Sequence, residues 1–294
     1  MAAAARANKE HWPSMRVRRG ISTVIINLIA ICGAILVSVP FVWMISSSLK
    51  REVDVFKIPP QWIPNPIVWS NYPEAWKLLP FGRYLVNTLV IVFTSLIGQL
   101  LSNTLVAFGF ARVRFPFKNV LFLIVLATMM LPHHVTLIPL FILFRDLKWI
   151  DTYRPLIVPS YFGSAFYIFL LRQFMMTVPL EMDDAAKIDG CSLFDIYWRI
   201  MLPLVKPAMG TVAIFSFMGS WNDFFGPLIY LNDVDKRTLA LGLKALAGWV
   251  VSAGAPRWAL AMAMSFVVML PCLFLFFFAQ RYFIQGVVGT GVKG

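Results

Sequence analysis

The sequence predicts an all-α polytopic membrane protein, and three observations carry that prediction. Hydrophobic residues fill 59% of the 294 positions and charged residues only 14%. The mean hydropathy is +0.75. Six apolar runs, at about 21–46, 84–110, 119–144, 154–176, 208–230 and 258–282, reach the roughly 20 residues a helix needs to cross a bilayer. A chain crossing lipid must satisfy its own backbone hydrogen bonds, so the runs read as helices. None shows the alternating pattern of about ten residues that marks a membrane strand.

The N-terminal tail, residues 1–20, carries Arg6, Lys9, Arg16, Arg18 and Arg19. The run after it is longer than a signal-peptide core and has no clear small-residue cleavage site, so it reads as an uncleaved first span. Residues 47–83 are too polar and proline-rich to cross. Trp62, Trp69 and Trp76 suit either a segment lying at the headgroups or an ordered external loop. The short loop after the second run holds Arg112, Arg114 and Lys118 with no acid. With six spans it falls on the same side as the basic N-terminus. Positive charge marks that side, and with it both termini, as cytoplasmic, with residues 283–294 as a second cytoplasmic tail. Residues 231–257 form the other sizeable outer loop.

The net charge of +12 fits loops facing anionic lipid, and nothing resembles a nucleic-acid module. Cys32, Cys191 and Cys272 are scattered, with neither disulfide nor metal spacing, so no metal site is expected. The phosphate-cradling G-x-x-x-x-G-K-[ST] motif is absent, as is H-E-x-x-H. The chain reads as a conduit with no cofactor of its own.

Between the fourth and fifth runs, residues 179–207 hold Glu181, Asp183, Asp184, Lys187, Asp189, Asp195, Arg199 and Lys206. A mid-bilayer charge costs about 2.5–3.5 kcal/mol, so this block cannot be a span. Its grammar is helix–turn–helix. Pro179 and the following acids suit a helix start, and Gly190 suits a left-handed end. Ser192 with Asp195 reads as a new capping box. Phe194, Tyr197, Trp198 and Met201 fall on one helical face, and Pro203 is expected to stop the helix. The block reads either as a docking element or as a loop packed on its own bundle.

"DDAAKIDGCSLFDIYWRIMLPLVKPAM" resembles the EAA loop of permease subunits of binding-protein-dependent ABC importers. Asp184-Ala185-Ala186 match its E-A-A, with Asp in place of Glu; Asp189-Gly190 match its D-G and Leu202-Pro203 its end. "TMMLPHHVTLIPLF", "LLRQFM", "SWNDFFGPLIYL", "RTLALGL", "QRYFIQG" and "GVKG" are similar to the MalG-like carbohydrate branch, in order along nearly the whole chain.

The resemblance implies six transmembrane helices and a cytoplasmic coupling helix that seats in a cleft of an ATP-binding subunit. Asp184, Ala185, Ala186, Asp189, Gly190, Phe194 and Pro203 would carry that link. Gly289, Gly291 and Lys293 in the tail would reach toward the ATPase, and about 245–257 toward the binding protein. The implied partners are a second permease, two ATP-binding-cassette subunits that bind ATP and Mg, and an extracytoplasmic solute-binding protein.

Asn87, Asn103, His133, Asn222 and Asp223 are polar positions near or within spans and are candidates to line the pathway; interhelical hydrogen bonding is the other reading. His133 and His134 follow Pro132 and point about 100° apart, which does not make a paired metal site. The alternative function is a secondary transporter driven by an ion gradient. That calls for intramembrane acids, and Asp223 is the only one near a span core.

Overall fold

The computed structural model describes residues 15–252 and 257–288, and among these no strand occurs. The side chains of residues 15–21, 133–134, 248–252 and 279–288 lie outside the description.

The first helix, α1 (Met15–Ser48), runs through Pro40 and starts inside the stretch read as tail. Its apolar surface is almost wholly exposed, as lipid contact requires. A short amphipathic helix, α2 (Asn71–Leu78), follows the proline-rich segment. The longest inner helix is α3 (Phe81–Arg112). It is the axis of the bundle, packed on α7 (Ala165–Met176) and α11 (Lys206–Trp221).

Three predicted spans are not continuous helices. Residues 119–144 divide into α4 (Lys118–Thr128) and α5 (His133–Asp146). Pro132 has no N–H to donate and is extended at ψ 133°, so the helix restarts after it. Residues 154–176 divide into α6 (Arg154–Ile157), a 3-10 turn (Val158–Phe162) and α7. The break there is Gly163, at φ +86°, a conformation costly to any residue with a Cβ. Residues 208–230 divide into α11 and α12 (Phe225–Tyr230), joined by an unwound turn at Asn222–Phe224.

Four helical stretches are long and apolar enough to cross a membrane: Ser22–Ser48, Phe81–Arg112, Arg154–Met176 and Trp258–Phe278. The pair Leu193–Leu204 and Lys206–Trp221 meets the same length and apolarity only when its two parts, bent by 76°, are taken together. The region read as a plain outer loop, 231–257, contains α13 (Leu239–Ser252). The final helix, α14 (Trp258–Val288), continues past the expected boundary at 282, so the first part of the predicted tail is helical. Gly289, Gly291 and Lys293 lie outside the described residues.

Two main apolar cores lie at opposite ends of α3. One joins Phe81, Tyr84, Trp221, Leu239, Leu246 and Met264. The other joins Phe108, Leu171, Met175, Ala186, Tyr197 and Met201. The first core is roofed by a polar clasp. Asp151 accepts from the Asn232 and Asp233 N–H groups (3.0 Å each) and from Lys236 Nζ (2.7 Å). Arg83 pairs with Asp235. Leu239 N–H, at the start of α13, donates to Thr88 Oγ1 on α3 (2.9 Å). Glu52 accepts the Ala259 N–H at the start of α14 (2.9 Å), and Arg257 pairs with Glu74 (2.6 Å). The segment 47–83 is thus ordered and tied to the start of α14, with Trp62, Trp69 and Trp76 exposed on it.

Candidate functional site

The charged block is built by local backbone rules. Helix α8 (Glu181–Ile188) gathers Glu181, Asp183 and Asp184 in its first turn and Lys187 in its last, matching the helix dipole. It ends in a Schellman motif. Gly190 N–H donates to Lys187 O (3.0 Å) and Cys191 N–H to Ala186 O (2.9 Å), with Gly190 at φ +82°. A Cβ at Gly190 would meet nothing within 4 Å, so backbone conformation alone selects glycine there within this chain. Ser192 and Asp195 then form a complete capping box for α9 (Leu193–Asp195).

The next turn departs from the expectation. Ile196–Met201 is a π-helix, followed by α10 (Leu202–Leu204). Leu202 N–H reaches back five residues to Tyr197 O. The widened turn splits the predicted single aromatic face in two. Tyr197 and Met201 go inward, and Tyr197 OH meets Thr104 Oγ1 at 2.8 Å. Phe194 and Trp198 stay outside, stacked with centroids 6.3 Å apart, and 66% and 54% exposed. Pro203 does not stop the helix. The π-turn tolerates its missing N–H, the helix continues to Leu204, and the chain bends by 76° at Val205 before α11.

Six of the seven predicted coupling residues, Asp184, Ala185, Asp189, Gly190, Phe194 and Pro203, are exposed. Ala186 is not: it turns into the chain's own core beside Leu171 and Met175. Leu180, Met182, Ile188 and Leu193 join the exposed set. An apolar patch on an otherwise charged block is the signature of a surface made to be covered.

A residue pair that sequence reasoning did not single out holds this block in place. Asp183 is buried and faces Arg112 at the end of α3, with Oδ2 3.4 Å from Nε and both side chains over 90% buried. Arg112 also donates to Met175 O (2.8 Å) and Val178 O (2.6 Å). Arg112 Nε and Asp183 Oδ1 have no hydrogen-bond partner, so the pair is held by charge more than by hydrogen bonding. In the sequence, Arg112 reads only as loop charge and Asp183 only as a helix-dipole acid; no local signal links them.

The candidate pathway residues divide. Asn87 is buried and donates to Asp235 O (2.8 Å) and Arg237 O (3.0 Å), tying α3 to the clasp. Asn103 is fully buried; its amide donates to Gln99 and its Oδ1 accepts the Ser164 N–H (2.7 Å) at the break before α7. Both amides are committed to the protein itself. Asn222 and Asp223 sit on the unwound turn between α11 and α12, where Asp223 accepts the Gly226 N–H (3.1 Å). His133 begins α5; its side chain lies outside the description. Among the described residues no group of His, Cys, Asp and Glu is placed to hold a metal ion.

Fold and site together define a membrane-embedded helical subunit with an apolar, solvent-facing block at one end. Residues 103–289 match the family described as the binding-protein-dependent transport system inner membrane component. The sn-glycerol-3-phosphate transport system permease protein UgpE of Yersinia enterocolitica is 31% identical over 281 residues, covering 93% of this chain and 98% of that one. A probable ABC transporter permease of Pyrococcus horikoshii is 32% identical over 284 residues, covering 95% and 100%. A crystal structure of a bacterial ABC transporter importing the acidic polysaccharide alginate aligns with a TM-score of 0.78 at 21% identity, over 94% of this chain and 100% of that one, a likeness of fold. The chain belongs to the binding-protein-dependent transport permease family. It is a transport subunit of an importer and not an enzyme, which decides against the ion-driven secondary transporter.

Proposed function

We propose that the chain forms half of the translocation pathway of an ATP-driven importer for a carbohydrate, polyol or related solute, and that residues 179–207 are its coupling element. The observation that carries this reading is the exposed apolar face of the block, with Ile188 86% exposed beside the stacked Phe194 and Trp198. That face suits the cleft of an ATP-binding-cassette subunit, and the Asp183–Arg112 pair would pass its movement to α3. Two such subunits bind ATP and Mg, a second permease completes the path, and an extracytoplasmic binding protein delivers the solute. The solute class rests on the relatives' printed substrates. The chain crosses the cytoplasmic membrane six times, with α4 and α5 as the third crossing and both termini cytoplasmic. Asn222, Asp223 and His133, at helix breaks, are the positions for solute contact, since unwound turns offer free backbone groups.

Gly190→Asp tests the coupling role. Asp tolerates the left-handed conformation and the site has open space, so the chain itself should stay folded. The expected result is normal assembly with ATP hydrolysis no longer tied to solute uptake. Uptake at the wild-type rate by the assembled variant would sink the proposal.

A further inference from the structure

We propose that the loop joining α3 to α4 binds the phosphate headgroup of an anionic phospholipid in the leaflet beside the coupling block. Arg114, Phe115, Phe117, Lys118, Asn119 and Val120 line an open cavity of about 350 Å3. Arg114 and Lys118 line it, and Arg112 and Arg172 stand behind them, close enough for their charges to act on Lys118; among the described residues the acid paired within this group is Asp183. That carboxylate is taken by Arg112. Arg172 is spent on Phe110 O (3.1 Å) and the face of Phe122 (4.1 Å). Lys118 Nζ donates to Val113 O (2.9 Å) and Ala111 O (3.4 Å) at the C-terminal end of α3, whose dipole offsets its charge only in part. Among the described residues neither Lys118 nor the exposed Arg114 pairs with an acid.

Two further features fit a phosphate. Burial and then the fields of Arg172, Arg112 and Arg114 push the Lys118 ammonium down, a penalty that a bound anion would relieve. Phe117 enters α4 at φ +58° with no side chain capping the helix, so the first N–H groups of α4 border the cavity. The neighbouring surface selects a lipid over a soluble anion. Phe117 is 77% exposed, and Val120, Leu121, Leu123 and Ile124 continue an exposed apolar strip along α4. A headgroup in the cavity with acyl chains on that strip accounts for both surfaces; free phosphate accounts for one. The Arg112–Asp183 contact puts the loop and the block at the same end whichever leaflet is cytoplasmic.

The whole importer, in nanodiscs of phosphatidylcholine with a minor share of phosphatidylglycerol, tests this by native mass spectrometry of retained lipid. Wild type should retain phosphatidylglycerol preferentially. Arg114→Gln should lower that retention about fivefold, one cation near the surface being worth about 1 kcal/mol. Phe117→Asn keeps a residue that tolerates the left-handed conformation while removing the exposed ring, and should lower retention about threefold, one apolar contact. Arg145→Gln, at the other end, should change nothing. Unchanged retention in Arg114→Gln would overturn the site. Displacement by millimolar inorganic phosphate, or a Phe117→Asn variant that retains lipid normally, would overturn the lipid as its ligand. The readout does not involve transport, so it is independent of the coupling proposal.

Discussion

The two ends of α3 are finished in opposite ways. At the clasped end, Asp151 with Lys236, Arg83 with Asp235, Asn87 with the Asp235 and Arg237 carbonyls and Thr88 with the Leu239 N–H tie loops distant in sequence together over an apolar core. At the block end one buried pair, Asp183 with Arg112, holds a two-helix element whose aromatic side chains face outward. The clasped end is drawn together by ion pairs and hydrogen bonds between loops, whereas the block is fixed by a buried pair on its inner side and is apolar and exposed on its outer side. The proposed coupling role calls for that combination: a firm attachment to the bundle and an exposed apolar surface to be gripped.

The comparison breaks first at the ion pair. Asp183→Ala strands the Arg112 charge in a buried site and should cost about 3 kcal/mol, read as a lower melting temperature of the purified complex. Pairing Asp183→Leu with Arg112→Met should recover part of that loss, because an apolar pair leaves no charge to solvate, while the Met175 and Val178 carbonyls lose their Arg112 donor. A melting temperature unmoved by Asp183→Ala would show that the block is held by its apolar core alone. A smaller effect is expected midway along α3. Asn103→Ala leaves the Ser164 N–H unpaired where the chain re-enters helix, and should cost about 1–3 kcal/mol by the same measurement.

The smallest effect belongs to the clasp. Asp233 N–H and then Lys236, hydrogen-bonded to the Asp151 carboxyl, hold it below its ordinary value of 3.8. A carboxyl whose folded value is lowered contributes stability that is present above the unfolded value and lost as the pH falls through the folded one. The melting temperature of wild type should therefore fall on acidification below pH 3.8, and that fall should be shallower in Asp151→Asn. Equal falls in the two proteins would remove Asp151 from the clasp's energetics.

The legible part of the site was the part written in neighbouring residues. Gly190 announced its left-handed turn and Ser192 with Asp195 their capping box, since both depend on atoms three or four residues apart. The face assigned to Phe194, Tyr197, Trp198 and Met201 assumed one helical period. The π-turn that divides it follows from how Tyr197 packs on Phe108 and Thr104 of another helix. Asn103 read as a pathway candidate because polarity in a span is visible, whereas the Ser164 N–H that occupies it is 61 residues away.

The sequence by itself determined that this chain lives in a bilayer, that residues 179–207 are too charged for a plain span, and where the Gly190 turn and the Ser192 cap fall. Hydropathy, charge cost and capping act over a few residues and need no knowledge of the fold. Only the tertiary structure decided that Ala186 faces inward, that Asp183 meets Arg112, and that the spans at 119–144, 154–176 and 208–230 are broken. Those outcomes depend on which surfaces meet across the bundle, where each buried polar group takes the partner that packing brings within reach.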